Sequence, residues 1–100
     1  MKVNWTQPTT MANGDPFTAA MFAGWELSID DKPAIAVPLV WDGKPDTVYS
    51  FDLEALSLTE AVHKLTMRTI EKDGDKSAPS PNLSFTYRKV PSAPLVQSVA

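Results

Sequence analysis

Between Phe51 and Tyr87 the chain reads FDLEALSLTEAVHKLTMRTIEKDGDKSAPSPNLSFTY, and the period assigned to this stretch decides the fold. Two periods compete in it. Leu58, Val62, Leu65 and Thr69 recur at helical intervals, and Leu53 and Leu56 extend the same stripe. Ser57 followed by Glu60 fits a capping box, in which hydroxyl and carboxylate each satisfy an orphan backbone N–H, and Gly74 would close such a helix in a left-handed cap. Against this, His63, Leu65, Met67 and Thr69 alternate with Lys64, Thr66 and Arg68. A half-buried strand requires that alternation, because successive side chains point to opposite faces. Lys72-Asp73-Gly74-Asp75 then supplies a turn, since Asp-Gly readily adopts positive φ. Beyond it Leu83, Phe85 and Tyr87 alternate with Ser84, Thr86 and Arg88. Local propensity leans to helix over residues 53–65, whereas the alternation and the turn favour strands from 62 onward.

The N-terminal half carries shorter versions of the strand pattern. Val3 and Trp5 share a face, with Asn4 and Thr6 opposite, and Trp5 is expected in the core on the general burial of aromatic side chains. Residues 8–16 hold the turn formers Thr9, Thr10, Asn13, Gly14 and Asp15 and read as a polar loop. Trp25, Leu27 and Ile29 then alternate with Glu26, Ser28 and Asp30. After a turn at 30–33, residues 34–41 are apolar but interrupted by Pro38, and a proline inside a strand pattern points to an edge strand. A second turn at 42–45 leads through Val48 and Tyr49 into Phe51.

These residues together resemble a fibronectin type III domain, an immunoglobulin-like β-sandwich. Val3-Asn-Trp5 is similar to the family's strand B and Ala23-Gly-Trp25 to its strand C. Residues 34–41 correspond to C′, 49–53 to E, Leu56-Ser-Leu58 to the corner before F, 63–70 to F, 71–81 to the FG loop and 82–90 to G. The Ser77-Ala-Pro-Ser80 run before strand G resembles bacterial and phage members. Two features depart from the family: Thr59-Glu-Ala61 stands where Pro-Gly or similar follows the corner, and His63 stands at the corner tyrosine. One helical turn from Ser57 would be compatible with both. A complete domain has a further strand A before the strand B tryptophan. With Trp5 so near Met1, the resemblance implies a sandwich over residues 1–90 that lacks its first strand, followed by a tail over 91–100. Strand B, with Val3, would then present an unpaired edge to another chain. The tail, through Leu95, Val96 and Val99, is a candidate to supply the missing strand, in its own chain or in a neighbour. The competing expectation is a disordered proline-rich end.

Composition bounds the function. One hundred residues, 43% of them hydrophobic, suit one domain with a small core. A net charge of −3 gives no basic excess to track a phosphate backbone, so no nucleic acid is expected as partner. No run approaches the roughly 18 apolar residues of a membrane span, and the start of the chain has no apolar leader core, so neither membrane nor signal peptide is expected. The absence of cysteine removes disulfides and thiolate metal sites. Nine prolines suit loops and edge strands.

Catalytic residues are not expected. His63 is the lone histidine and no Gly-x-Ser-x-Gly elbow accompanies it. Its expected role is a corner hydrogen bond to nearby backbone. Asp73 and Asp75 alternate as Ca²⁺ ligands do, but a calcium loop needs more ligands and a terminal glutamate, so a solvated turn is expected, with no metal and no cofactor. Four glycines form no phosphate cradle. Trp41, at the end of the expected edge strand, is a candidate binding anchor, set against packing over the sandwich rim. The resemblance implies a structural part of a bacteriophage virion, folded in the host cytoplasm, that decorates a capsid or tail and binds other virion proteins or itself. The alternative is an adhesion module for a surface glycan, using residues 8–17, Trp41 and the turn holding Asp73 and Asp75.

Overall fold

Six strands alternate with loops in the computed structural model, which describes residues 1–89, 91 and 93–99: β1 (Lys2–Trp5), β2 (Phe22–Ile29), β3 (Ile35–Val37), β4 (Tyr49–Asp52), β5 (Val62–Glu71) and β6 (Leu83–Thr86). Short 3₁₀ turns cover Ala19–Met21 and Leu53–Leu56. All pairings are antiparallel. β1 and β4 form one sheet, and the other has the order β3-β2-β5-β6. The two sheets share one core, so the molecule is an all-β sandwich.

The core follows from alternation, with one instructive break. Trp25, Leu27 and Ile29 of β2 point inward, as period two demands. Phe22 also points inward although it lies three residues before Trp25, because the register against β5 slips between Phe22 and Gly24. A bulge of this kind re-aims a side chain. It sets the Phe22 and Trp25 rings 4.7 Å apart, edge to face. Leu65 and His63 of β5, Val3 of β1, and Leu53 and Leu58 beside the 3₁₀ turn complete the interior.

The central stretch is therefore a strand from Val62 and not a helix. The helical turn lies upstream of Ser57. Asp52 caps it by accepting from the Glu54 N–H at 3.0 Å, and Ser57 ends it at φ +53°. The capping box from Ser57 to Glu60 does not form: Ser57 stands at a C-terminus, and the Glu60 carboxylate accepts from the Lys89 N–H. The turn at 72–75 forms as expected around Gly74 at φ +94°, with the Gly74 N–H donating to the Glu71 carbonyl.

Three expected strands are shorter. The segment at 34–41 forms a strand only over Ile35–Val37, since Pro38 cannot donate to a ladder. The strand at 49–53 ends at Asp52, where the 3₁₀ turn begins. The last strand, expected over 82–90, covers Leu83–Thr86, and Val90 lies outside the described residues. Lys89 is still tied to the sandwich through Glu60, and the described residues from 93 to 99 are exposed. The radius of gyration is 17.0 Å, against about 13 Å for a compact domain of this length.

Candidate functional site

Only one side of β1 is occupied. Its register with β4 pairs Val3 with Phe51 and Trp5 with Tyr49, and the Leu53 N–H donates to the Met1 carbonyl at 3.0 Å. In an antiparallel ladder, pairs that exchange hydrogen bonds alternate with pairs that do not. Met1, Val3 and Trp5 therefore aim their backbone groups at β4. Lys2 and Asn4 aim theirs the other way, and no strand lies there among the described residues. Thr6 continues the outward set. Such an edge is a row of unpaired donors and acceptors.

Beneath that edge the sandwich is open. A groove of about 670 Å³ runs between residues 5–12 on one wall and 67–80 on the other. Trp5, Met11 and Met67 give it apolar lining and are only partly buried, while Gln7 and Thr69 lie at its base. The Gln7 side-chain oxygen accepts from the Trp25 indole N–H at 2.8 Å and from the Thr69 hydroxyl at 2.8 Å. Its amide nitrogen donates to the Pro8 carbonyl at 3.0 Å. One buried glutamine thus ties the strand leaving β1 to both central strands of the other sheet. Trp5 sits over this clamp, edge-on to Trp25 at 5.3 Å, and its own indole N–H is buried without a partner.

The facing edge, on β5, is closed. β6 pairs with Val62–Leu65 only. Further along, Ser77 and Ser80 take over. Each serine N–H donates to a β5 carbonyl (Thr69 and Met67) at 2.9 Å, and each serine hydroxyl accepts from the N–H of the same residue at 2.9 and 3.0 Å. Pro79 and Pro81 prevent an ordinary ladder here, and two hydroxyls stand in for backbone carbonyls.

The residues singled out from sequence do not converge. Val3 is buried on the inner face of β1 beside the open edge. Trp41 is 2% exposed, so of its two expected roles the structure shows packing and not a presented binding anchor. Its ring stacks on Phe17 at 5.4 Å and its indole donates to the Lys44 carbonyl at 2.8 Å. The loop wraps over this ring because Asp42 accepts from the Lys44 N–H and the Thr47 hydroxyl, which hold its carboxyl below the usual range, the Thr47 hydroxyl most of all. Asp73 and Asp75 are exposed at the hairpin tip, with Asp73 accepting from the Asp75 N–H. Leu95, Val96 and Val99 are 86, 83 and 95% exposed. Trp5, expected at the centre of the core, is at its margin because no strand among the described residues lies beyond β1 to cover it. Trp25 occupies the centre instead. Sequence reasoning passed over Gln7, Ser77 and Ser80. The signal for Gln7 was its place on the inward face set by Val3 and Trp5.

His63 is buried between two acceptors. Nδ1 lies 2.8 Å from Asp30 Oδ2 and Nε2 lies 2.8 Å from the Thr59 carbonyl, the corner bond expected from sequence. Both nitrogens can donate only in the imidazolium form. The Asp30 carboxylate, then the Thr59 carbonyl, raise the His63 pKa. His63, then the Lys64 N–H, lower that of Asp30. At the same end Tyr87 donates to Glu54, which also accepts from the Met1 ammonium at 3.2 Å. Among the described residues no group of three or more histidine, aspartate or glutamate side chains is placed to hold a metal ion.

A scan against protein-family models, a search of curated proteins and a search of solved structures found no match to this chain.

Proposed function

We propose that this chain is a non-catalytic assembly module of fibronectin type III kind, a structural component of a bacteriophage virion that binds other virion proteins. The observation that carries the binding role is the unpaired outer edge of β1 above an apolar groove. A flat backbone edge beside a hydrophobic trough takes up an extended segment of another protein by strand addition, with main-chain bonds for affinity and side-chain pockets for specificity. The family assignment draws support from strand order. β1 beside β4, and β2 and β5 adjacent with β6 beyond, are the neighbours that strands B and E, and C, F and G, have in immunoglobulin-like sandwiches. The virion setting rests on the resemblance of the sequence to phage members alone. The glycan-binding alternative loses its best residue, because the Trp41 ring has no free face to stack on a sugar.

Mass spectrometry of purified particles from the source tests this reading. The chain is expected in particles at a copy number matching a structural protein. A chain left wholly in the soluble lysate, with particles complete without it, overturns the assignment.

A further inference from the structure

We infer that the segment Leu95–Val99 of a second copy of this chain is the strand that adds to β1, antiparallel, with Gln97 opposite Trp5. The inference rests on the reading that the open side takes up a protein segment, and it names the segment.

The match begins with the face pattern. Val3, Trp5 and Gln7 point inward along β1 and its continuation, and Lys2, Asn4 and Thr6 have the outward backbone groups. An added strand must therefore present every second side chain to the groove and every other backbone unit to the edge. Over 95–99 the inward set is Leu95, Gln97 and Val99. Two apolar side chains then cover the apolar lining, and the side chain of Gln97 falls against the half-covered ring of Trp5. The backbone units of Val96 and Ser98 fall opposite Thr6 and Asn4. Both carry an N–H, and the nearest proline, Pro94, lies outside the pairing. Residues 91–99 carry no charged side chain, which suits burial in this trough.

The segment is free to leave its own domain. Its three apolar residues are exposed, while Tyr87 is buried and anchored to Glu54. The arm from Lys89, whose N–H is held by Glu60, to Leu95 reaches about 20 Å when extended, half as long again as a four-residue strand. It departs beside Met1, the starting end of β1, since Glu54 holds both Tyr87 and the Met1 ammonium. Running along its own β1 from there, the arm would lie parallel. The antiparallel register needs a tail that arrives from the Gln7 end, and a second copy supplies it. Reciprocal exchange closes a two-fold dimer.

Light scattering across a concentration series on the full chain, with two variants, tests the inference. Asn4→Pro removes one outward N–H from the edge. Leu95→Asp with Val99→Asp spoils the tail in residues that touch nothing in their own domain, so that variant keeps its fold. The full chain is expected to double in mass as concentration rises, and each variant to require at least tenfold more protein for the same association. A one-to-one mixture of the variants, one with an intact tail and the other with an intact edge, is expected to associate where each alone does not. A full chain that stays monomeric throughout, or a dimer indifferent to the tail variant, overturns the inference, as does a monomer whose own tail amides are protected from exchange. A monomer that is nonetheless built into particles discards the tail register and keeps the assembly role. A tail-dependent dimer missing from particles does the reverse.

Discussion

The two flanks of the sandwich cover their inward side chains differently. On the flank of the 38–48 loop, Trp41 is sealed between Phe17, Phe22 and a loop pinned by Asp42. On the flank between β1 and the 76–81 segment, Trp5 and Met67 are left half covered, an indole N–H has no acceptor, and a strand edge has no neighbour. Both flanks hold a tryptophan on a comparable aromatic platform. They differ in whether the chain itself provides the cover. A loop of this chain completes the first. The second has half-covered side chains that no described strand overlies, and the proposed strand addition would cover them.

Substitutions that separate the flanks sharpen this contrast. The largest effect is expected at the shared centre and the sealed flank. Trp25→Ala and Trp41→Ala each remove a buried ring and should cost about 3–5 kcal/mol of stability, read by urea unfolding followed by far-ultraviolet circular dichroism. With a total of about 5–15 kcal/mol in a typical domain, either change brings the chain near collapse. A Trp41→Ala protein of unchanged stability would remove the distinction between the flanks. Gln7→Ala comes next. It strips the acceptor from the Trp25 indole and the Thr69 hydroxyl at the base of the groove and should cost about 1–3 kcal/mol. On β6, away from both flanks, Leu83→Thr should change stability by less than about 0.5 kcal/mol, because Leu83 is 56% exposed.

Acid–base behaviour gives a test away from both flanks. The His63 pKa is raised in the fold, so its contribution is complete below the ordinary histidine value and fades as pH rises through the raised one. Asp30 is lowered, so its contribution is complete above the ordinary carboxylate value and fades as pH falls through the lowered one. For these two groups, stability should therefore be flat between their ordinary values and decline as pH rises above the ordinary histidine value. In His63→Gln that decline should vanish. Urea unfolding from pH 5 to pH 9 checks this, and a decline that persists unchanged in the variant assigns it elsewhere.

The sealed interior was legible where period two was clean: Trp25-Leu27-Ile29 and His63-Leu65 both lie in the strands their alternation implies. It was illegible where a neighbour overrode local pattern. Phe22 joins the core only through a bulge, and the Ser57–Glu60 motif is a sound capping box that tertiary packing places after a helical turn instead of before one. Trp41, after an edge strand, could be read as an anchor or as rim packing, and the pattern did not decide between them. The loop that buries it is held by hydrogen bonds from Asp42 to Lys44 and Thr47, which no hydrophobic period reports. The unpaired edge of β1 was anticipated from the place of Trp5 in the chain. The groove beneath it was not, since it depends on Gln7 reaching both Trp25 and Thr69, and on two serines closing the opposite edge.

Amide hydrogen exchange at Asn4, followed as protein concentration rises, reads the open edge of β1 itself. Exchange near the unprotected rate is expected at low concentration, while Leu27 stays protected, and then a rise in protection at Asn4 in step with Val96 and Ser98. Protection at Asn4 that is already present in the dilute monomer, or absent from the associated form, would contradict it.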